Sequence, residues 1–346
     1  VRRLTWGIIL ATAIFAAERS KLYNELPEFD ASKAVLWQDP GQVSLRDLRY
    51  GPGGRDLEPK APFTFEKEDF SGRSPKVRVS DANGRTWVIK FGEEALPDVF
   101  ASRLSWAVGY YAEPNYYLEG ETLSGVHGLS RAGKYIDEHG RAKGGRFQLR
   151  TSDPQYMAGY SWGWEENPFS GTAQMNGLRV LMMLVSNWDD KDIRDDQGGV
   201  TQSFHNMTLW MRQGTNNAIM RGGGRYMFFI DDWGASLGRW SGFPGRSKRD
   251  PDGFLDDSEH FVRGVRDGNV EFGFKALHTR NLTEGIRVSD VSWLMQYLGR
   301  VTDEQLQAGL AASGATPEMA SSYTRALRMR IGQLEKVANG QVVAER

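Results

Sequence analysis

The chain has no cysteine. A disulfide framework, a thiolate zinc site, an iron–sulfur cluster and a cysteine nucleophile are thereby excluded. Histidine is scarce, and its five positions, 127, 139, 205, 260 and 278, are too far apart for the paired ligands of a zincin-type helix. An excess of charge of one sign is lacking too. Forty-three basic residues face 44 acidic ones, a net charge of −1, with no basic run, so no nucleic-acid partner is expected. The apolar stretch Leu4–Ala17, broken by Thr5 and Thr12, is shorter than the roughly 20 residues a helix needs to span hydrocarbon. It follows Val1-Arg2-Arg3, ends in Ala16-Ala17 and precedes the polar Glu18-Arg19-Ser20-Lys21. Residues 1–17 therefore read as a cleaved export signal, with no stable membrane span after cleavage and a periplasmic or extracellular address. The alternative is an apolar N-terminal core helix.

What is present is an ordinary globular composition: 346 residues, 40% hydrophobic and 25% charged, with 40 glycines and 11 tryptophans. Residues 18–60, carrying Gly51-Pro52-Gly53-Gly54, read as an irregular arm. Alternation at Val77 and Val79, then at Trp87, Ile89 and Phe91, predicts two strands joined by a turn at Asp81-Ala82-Asn83-Gly84. Lys90 then falls on the face opposite those three, beside Val88. Pro97 opens a predicted helix striped by Val99, Phe100, Leu104, Val108 and Tyr111, and Tyr116-Tyr117-Leu118 follows as a short strand. Leu178–Val185 reads as a buried helix running into Asn187-Trp188-Asp189, and Tyr226–Ile230 as a buried strand running into Asp231-Asp232-Trp233-Gly234. Thr302 to Gln305 forms a capping box, Gly314 stops that helix, and Thr316-Pro317 starts the last one. The order is a small antiparallel sheet with one helix, then a larger helical part.

Three motifs compete for a functional reading. Gly128-Leu-Ser-Arg-Ala-Gly133-Lys134-Tyr135 nearly fits a phosphate-binding loop, but Tyr135 replaces the small hydroxyl and no strand leads in. Gly234-Ala235-Ser236-Leu237-Gly238 fits a nucleophile elbow with Ser236, although Arg239-Trp240-Ser241-Gly242-Phe243-Pro244 will not form the helix that should follow. Asp256 with His260 or His278 would complete that serine hydrolase. The acidic run Asp189–Asp196 fails the calcium-loop pattern, with Arg194 at a ligand place.

A fourth arrangement joins more of these residues. Phosphoryl transfer from ATP needs a cation on the phosphates, a carboxylate to hold that cation, a carboxylate near the attacking hydroxyl, and magnesium ligands. Lys90, Asp98, Asp189 and Asp232 supply these groups in that order. Lys90 in Trp-Val-Ile-Lys, Asp189 in Asn-Trp-Asp-Asp-Lys-Asp, Asn216-Asn217-Ala218-Ile219 and Asp232-Trp233-Gly234 together resemble the invariant series of the protein-kinase-like superfamily. Within it the chain is similar, over roughly residues 45–340, to exported bacterial proteins distantly related to the HipA-like and CotH-like atypical kinases. Gly72-Arg73-Ser74-Pro75-Lys76, Pro97–Leu104, and Asn167-Pro168-Phe169 with Gly171-Thr172 also resemble that group.

The resemblance implies a bilobal α+β fold, with residues 61–118 as the small lobe and 119–340 as the larger, mainly helical lobe. It implies ATP and Mg2+ as cofactors and an unknown hydroxyl acceptor on a protein, glycan or metabolite. Lys90, Gly72, Lys76, Tyr117 and Leu118 would contact the nucleotide, Asp98 would hold Lys90, Asp189 would act as base, and Asp232 and Asn216 would bind metal. Two departures stand out. Asp98 replaces the usual glutamate and is one methylene shorter. Asn216 lies 27 residues beyond Asp189 rather than five, which implies an insertion of about 22 residues near 193–215, with Asp192 or Asp195 as substitute ligands if it does not loop out. The G-x-G-x-x-G loop is absent, which keeps open a catalytically silent relative or a nucleotidyl transferase. The rival class is a secreted binding module, with Tyr110, Tyr111, Tyr116, Tyr117, Tyr160, Trp162 and Trp164 lining a groove rather than filling a core.

Overall fold

The predicted alternation builds a meander. In the computed structural model, β1 (Phe63–Asp69), β2 (Lys76–Ser80) and β3 (Thr86–Phe91) pair antiparallel in sequence, and Gly84 takes φ +72° in the turn between the last two. The structure describes residues 30–157, 161–165, 167–191, 216–241, 245–277 and 280–341. The export-signal reading of residues 1–17 lies outside these. The chain divides after Ala34, and all that follows concerns the compact unit Val35–Arg346.

Helix α1 (Ala95–Ala107) follows β3, then β4 (Asn115–Leu118), β5 (Leu123–Ser124) and β6 (Gly145–Arg150). The six strands lie in the order β4-β6-β3-β2-β1-β5. Five residue steps separate Leu118 from Leu123, a reach of about 17 Å, whereas five strand spacings across a flat sheet need about 24 Å. The sheet must therefore curl for β5 to reach β1. Its inner face carries Phe63, Val77, Val79, Trp87, Ile89, Phe91, Phe147 and Leu149 in one buried cluster, as the alternation demands. The sheet also runs past residue 118. Strand β6 comes later in the chain yet inserts between β3 and β4, pairing with both.

Helix α1 begins two residues before Pro97, with Glu94 at its N-cap. A proline fits anywhere in the first turn, where amides lack intrahelical acceptors, so it does not fix the starting residue. The irregular segment before β1 is packed rather than loose. Arg103 of α1 donates to the carbonyls of Arg49 (2.6 Å), Leu48 (3.2 Å) and Asn115 (2.7 Å), and Leu36, Val43 and Leu48 are buried.

The remainder is mainly helical: α2 (Ala173–Leu184), α3 (Pro251–Asp256), α4 (Val288–Leu298), α5 (Asp303–Ala311) and α6 (Pro317–Ala338). With α1 these make six α-helices among the described residues. The hairpin β8 (Asn217–Gly222)/β9 (Arg225–Ile230) is extended by β7 (Gln155–Tyr156), and β10 (Val262–Arg266) pairs with β11 (Asn269–Phe272). The expected caps form: Thr302 and Gln305 bond reciprocally at α5, and Thr316 caps α6 with Pro317 in the first turn. The chain is thus α+β. No described helix is long and apolar enough to cross a membrane.

Two motifs resolve here. The Gly128–Tyr135 segment is a turn whose Ser130 and Ala132 amides each donate to the Glu68 carboxylate at 2.7 Å. Its anion-binding amides hold the chain's own acid. Ser236 of the hydrolase reading is fully buried, and among the described residues its hydroxyl has no hydrogen-bond partner and no helix directly follows it. A nucleophile needs access and a base; His278, one of the two candidate bases, lies outside the described residues.

Candidate functional site

Strand register sets the site. Lys76 on β2 stands opposite Lys90 on β3, and Lys90 stands opposite Arg146 on β6. Residues directly opposite share a face, and like charges so placed repel. Three cations in one cross-strand row conflict with sheet stability, and conflicts of this kind gather at functional sites.

The row is neutralised from outside the sheet. Lys90, only 3% exposed, has its Nζ 2.8 Å from Glu94 Oε2, 3.2 Å from Asp98 Oδ2 and 3.1 Å from Asp232 Oδ1. Burial alone would favour the neutral amine, but Asp232, Asp98 and Glu94 outweigh it and hold the ammonium well above its usual range. Arg146 lies 2.5 Å from the same Asp98 Oδ2 and donates to Gln148 Oε1 at 3.0 Å. Lys76 is compensated less, by the more distant Asp232 and Asp231. Burial, with Lys90 and Arg146 adding, pushes its ammonium below the ordinary lysine range, while Nζ donates to the Ser71 carbonyl at 2.9 Å.

Asp98 is long enough after all. Its helix packs directly on the strands, so Oδ2 reaches both cations while Oδ1 accepts the Trp233 amide at 3.0 Å. Asp232 keeps 47% side-chain exposure and takes the Gly234 amide at 2.9 Å on the oxygen that faces Lys90. Gly72, at φ +63°, is held through its carbonyl by Arg131 at 2.8 Å, which places Ser74 to donate to Glu94 Oε2 at 2.8 Å.

Asp189 arrives by a separate route. Helix α2 ends at Leu184, and Ser186 turns the chain at φ +59°. The fully buried Arg330 of α6 fixes that turn, donating to the Leu184 carbonyl and the Ser186 hydroxyl at 2.7 Å each. Asn187 then donates to the Asp232 carbonyl at 3.1 Å, and Lys191 stands 3.1 Å from Asp189 Oδ1. The expected insertion lies outside the described residues, as do Asp192 and Asp195, but the described residues on either side of it, Lys191 and Asn216, meet. The Asn216 amide bonds to the Lys191 carbonyl at 3.1 Å, the Asn216 side chain donates to the Asp189 carbonyl, and the Asp231 amide bonds to the Asn216 carbonyl at 2.8 Å. Asn216 is thus linked through its backbone to Lys191 and Asp231 and through its side chain to Asp189.

Tyr117 stands opposite Arg146 on β6, which separates β4 from β3, so it lies in the same cross-strand row but two strands from Lys90, and it packs against Gly314, where a Cβ would lie 2.3 Å from its ring. It lines a groove of about 360 Å³ with Arg49, Glu58 and Arg103, and Leu118 packs on the core cluster of the sheet. The expected aromatic groove divides. Tyr116, which donates to the Gly54 carbonyl (2.8 Å), lines the same groove as Tyr117, whereas Tyr110 is buried and bonded to the Gln174 carbonyl (2.7 Å) and Tyr111 packs on Phe229. Trp162 and Trp164 are buried and donate to the carbonyls of Ala218 (3.0 Å) and Asp190 (3.1 Å), bracing both ends of the excursion; Tyr160 is outside the described residues.

The residue reading missed Glu94, Arg146, Lys191 and Lys248, the last paired with Glu94. Glu94 had a signal, four positions after Lys90; Arg146 and Lys248 had none, because only the tertiary fold brings them in. It also missed a buried acid pair behind Asp232, where Glu113 and Asp231 bond to each other and to Gln148. Among the described residues no cluster of three or more His, Asp or Glu makes a ready-made metal cage. Asp232, Asn216 and Asp189 offer oxygen donors only, the kind magnesium takes when one or two carboxylates share it with substrate phosphates. Set against family models, curated proteins and solved structures, the chain matches none of them.

Proposed function

We propose that this protein is an atypical kinase, with a kinase-like bilobal body, that transfers a phosphoryl group from Mg·ATP to a hydroxyl. The observation that carries the reading is Lys90, whose ammonium is within 3.2 Å of both Asp98 and Asp232 although 142 residues separate it from the latter. Chain order alone would not unite a strand lysine, a helix acid and a distant turn acid in one buried cluster.

Each residue then has a task. Lys90 holds phosphate oxygens, and Asp98 keeps it aimed and charged. Asp232, half exposed, and Asn216 would hold magnesium, whose charge, when Mg·ATP is bound, offsets that developing on the transferred group. Asp189, steadied by Lys191 and by the Asn216 link through its own carbonyl, orients the acceptor hydroxyl and takes its proton.

The test is transfer of label from γ-labelled and, separately, α-labelled ATP to the protein or to added acceptors. Label from the γ-position that disappears in Asp232→Ala and falls about 10²–10³-fold in Asp189→Asn is expected. Label from the α-position alone would replace phosphoryl with nucleotidyl transfer, and no label with no magnesium-dependent ATP binding would end the reading.

A further inference from the structure

The carboxylate of Glu94, which the mechanism above does not use, is ringed by donors of which only Lys90 has a task there. Oε2 takes Lys90 Nζ and Ser74 Oγ, each at 2.8 Å, and Oε1 takes Lys248 Nζ. Lys248 in turn lies 5.5 Å over the Trp188 ring, next to Asp189. Gly234 makes room for this, since a Cβ there would lie 2.8 Å from Glu94 Cβ. Three separate stretches therefore converge on two oxygens, the β1–β2 loop, β3 and the segment carrying Lys248, while the turn after Asp232 packs against the Glu94 stem.

Two ammonium groups and a hydroxyl on a pair of oxygens form the donor set that a phosphoryl group takes. Glu94 and Lys248 side chains each keep 21% exposure, so this seat opens to solvent, unlike Asp98 at 1%. Burial would raise the Glu94 carboxyl, but Lys90 and Lys248 override it and hold the group well below the usual carboxylate range, a full anion. Its side chain makes no helix-capping bond, so nothing in α1 requires it to stay.

We infer that Lys90, Lys248 and Ser74 form a phosphate seat beside Asp232, and that Glu94 is an internal occupant which the terminal phosphoryl group of a nucleoside triphosphate displaces. The identity of the ligand rests on the function proposed above; the seat rests on the contacts. Glu94 competes with substrate, and Lys248 is a second phosphate-holding cation.

Glu94→Gln and Lys248→Met are compared with wild type by calorimetry and melting, using Mg·ATP, Mg·ADP and inorganic pyrophosphate. Glu94→Gln is expected to tighten ATP about tenfold, and Lys248→Met to weaken it about tenfold, with ADP changing less than about twofold in both. Lys248→Met leaves the Lys90–Asp98 pair intact and so reports even if Glu94→Gln perturbs folding. ATP binding that neither variant changes, or changes no more than ADP, overturns the seat and leaves the kinase reading standing. Pyrophosphate bound more tightly by Glu94→Gln, without ATP binding in any form, keeps the seat and removes the kinase. Binding of none of the three by any form overturns both.

Discussion

Asp98 Oδ1 accepts the Trp233 amide at 3.0 Å while Oδ2 of the same carboxylate takes Lys90 and Arg146. One side chain thus joins β3, β6 and the turn that carries Asp232. Asp98→Ala leaves two buried cations with a partner removed, and a loss of about 3–5 kcal/mol is expected from urea melts. Asp98→Asn keeps an acceptor for Trp233 and should lose less. Equal losses would mean that shape, not charge, is what the position supplies.

Lys90 and Asp232 are partners with unequal stakes. Lys90 is buried among three carboxylates, whereas Asp232 is half exposed and leaves Lys90 two others when removed. Lys90→Met is expected to cost about 3 kcal/mol or more, and Asp232→Asn under about 1 kcal/mol. Both should abolish the magnesium- and ATP-dependent rise in Tm. A stable Lys90→Met variant would contradict this burial argument.

Arg330 holds the turn before Asp189 from inside the helical core, with its guanidinium 3.7 Å over the Phe254 ring and bonds to four groups besides the weak Met183 contact: Ser258, Leu184, Ser186 and Phe254. Lysine cannot reproduce that planar fork. Arg330→Lys should destabilise by about 3 kcal/mol in chemical denaturation, and Ser186→Ala, which removes one bond, by about 1 kcal/mol.

The Glu113–Asp231 pair predicts a pH dependence. Burial, with Asp231 beside it, pushes the Glu113 carboxyl up to about 8, whereas Asp231 is held below its usual range, with Arg150 and Arg146 outweighing burial. The folded protein therefore keeps a proton on Glu113 that the unfolded chain releases near its ordinary value. Stability from this group is full below that value and is lost as pH rises toward 8. Tm should fall by roughly 5 °C between pH 5 and pH 8, and Glu113→Gln should flatten that slope. A slope of equal size in the variant would place its origin elsewhere.

The elements written in short range were legible. The β2–β3 hairpin, the α5 capping box and the Thr316-Pro317 start depend on neighbours within a few positions, and the structure carries all three. Lys90 could be assigned to the face away from Trp87 because a strand has a period of two. The rest needed long-range information. Strand β6 enters the sheet out of sequence order, which set Arg146 between Tyr117 and Lys90 and hid it, since no local pattern reveals which strand lies between two others. The aromatic residues illustrate a different limit. Composition marks tryptophans as anchors but not what they anchor, and Trp162 and Trp164 proved to brace carbonyls at the ends of the excursion.

The bond from the Asn216 amide to the Lys191 carbonyl works as a clasp at the neck of a purse. Loop closure entropy changes by only about 0.6 kcal/mol for each doubling of length. Trimming the stretch between these residues to a quarter would therefore recover about 1.2 kcal/mol and leave Asp189 and Asn216 where they are. Asp189 and Asn216 are thus tied by bonds among described residues alone, whatever length of chain the sequence places between them.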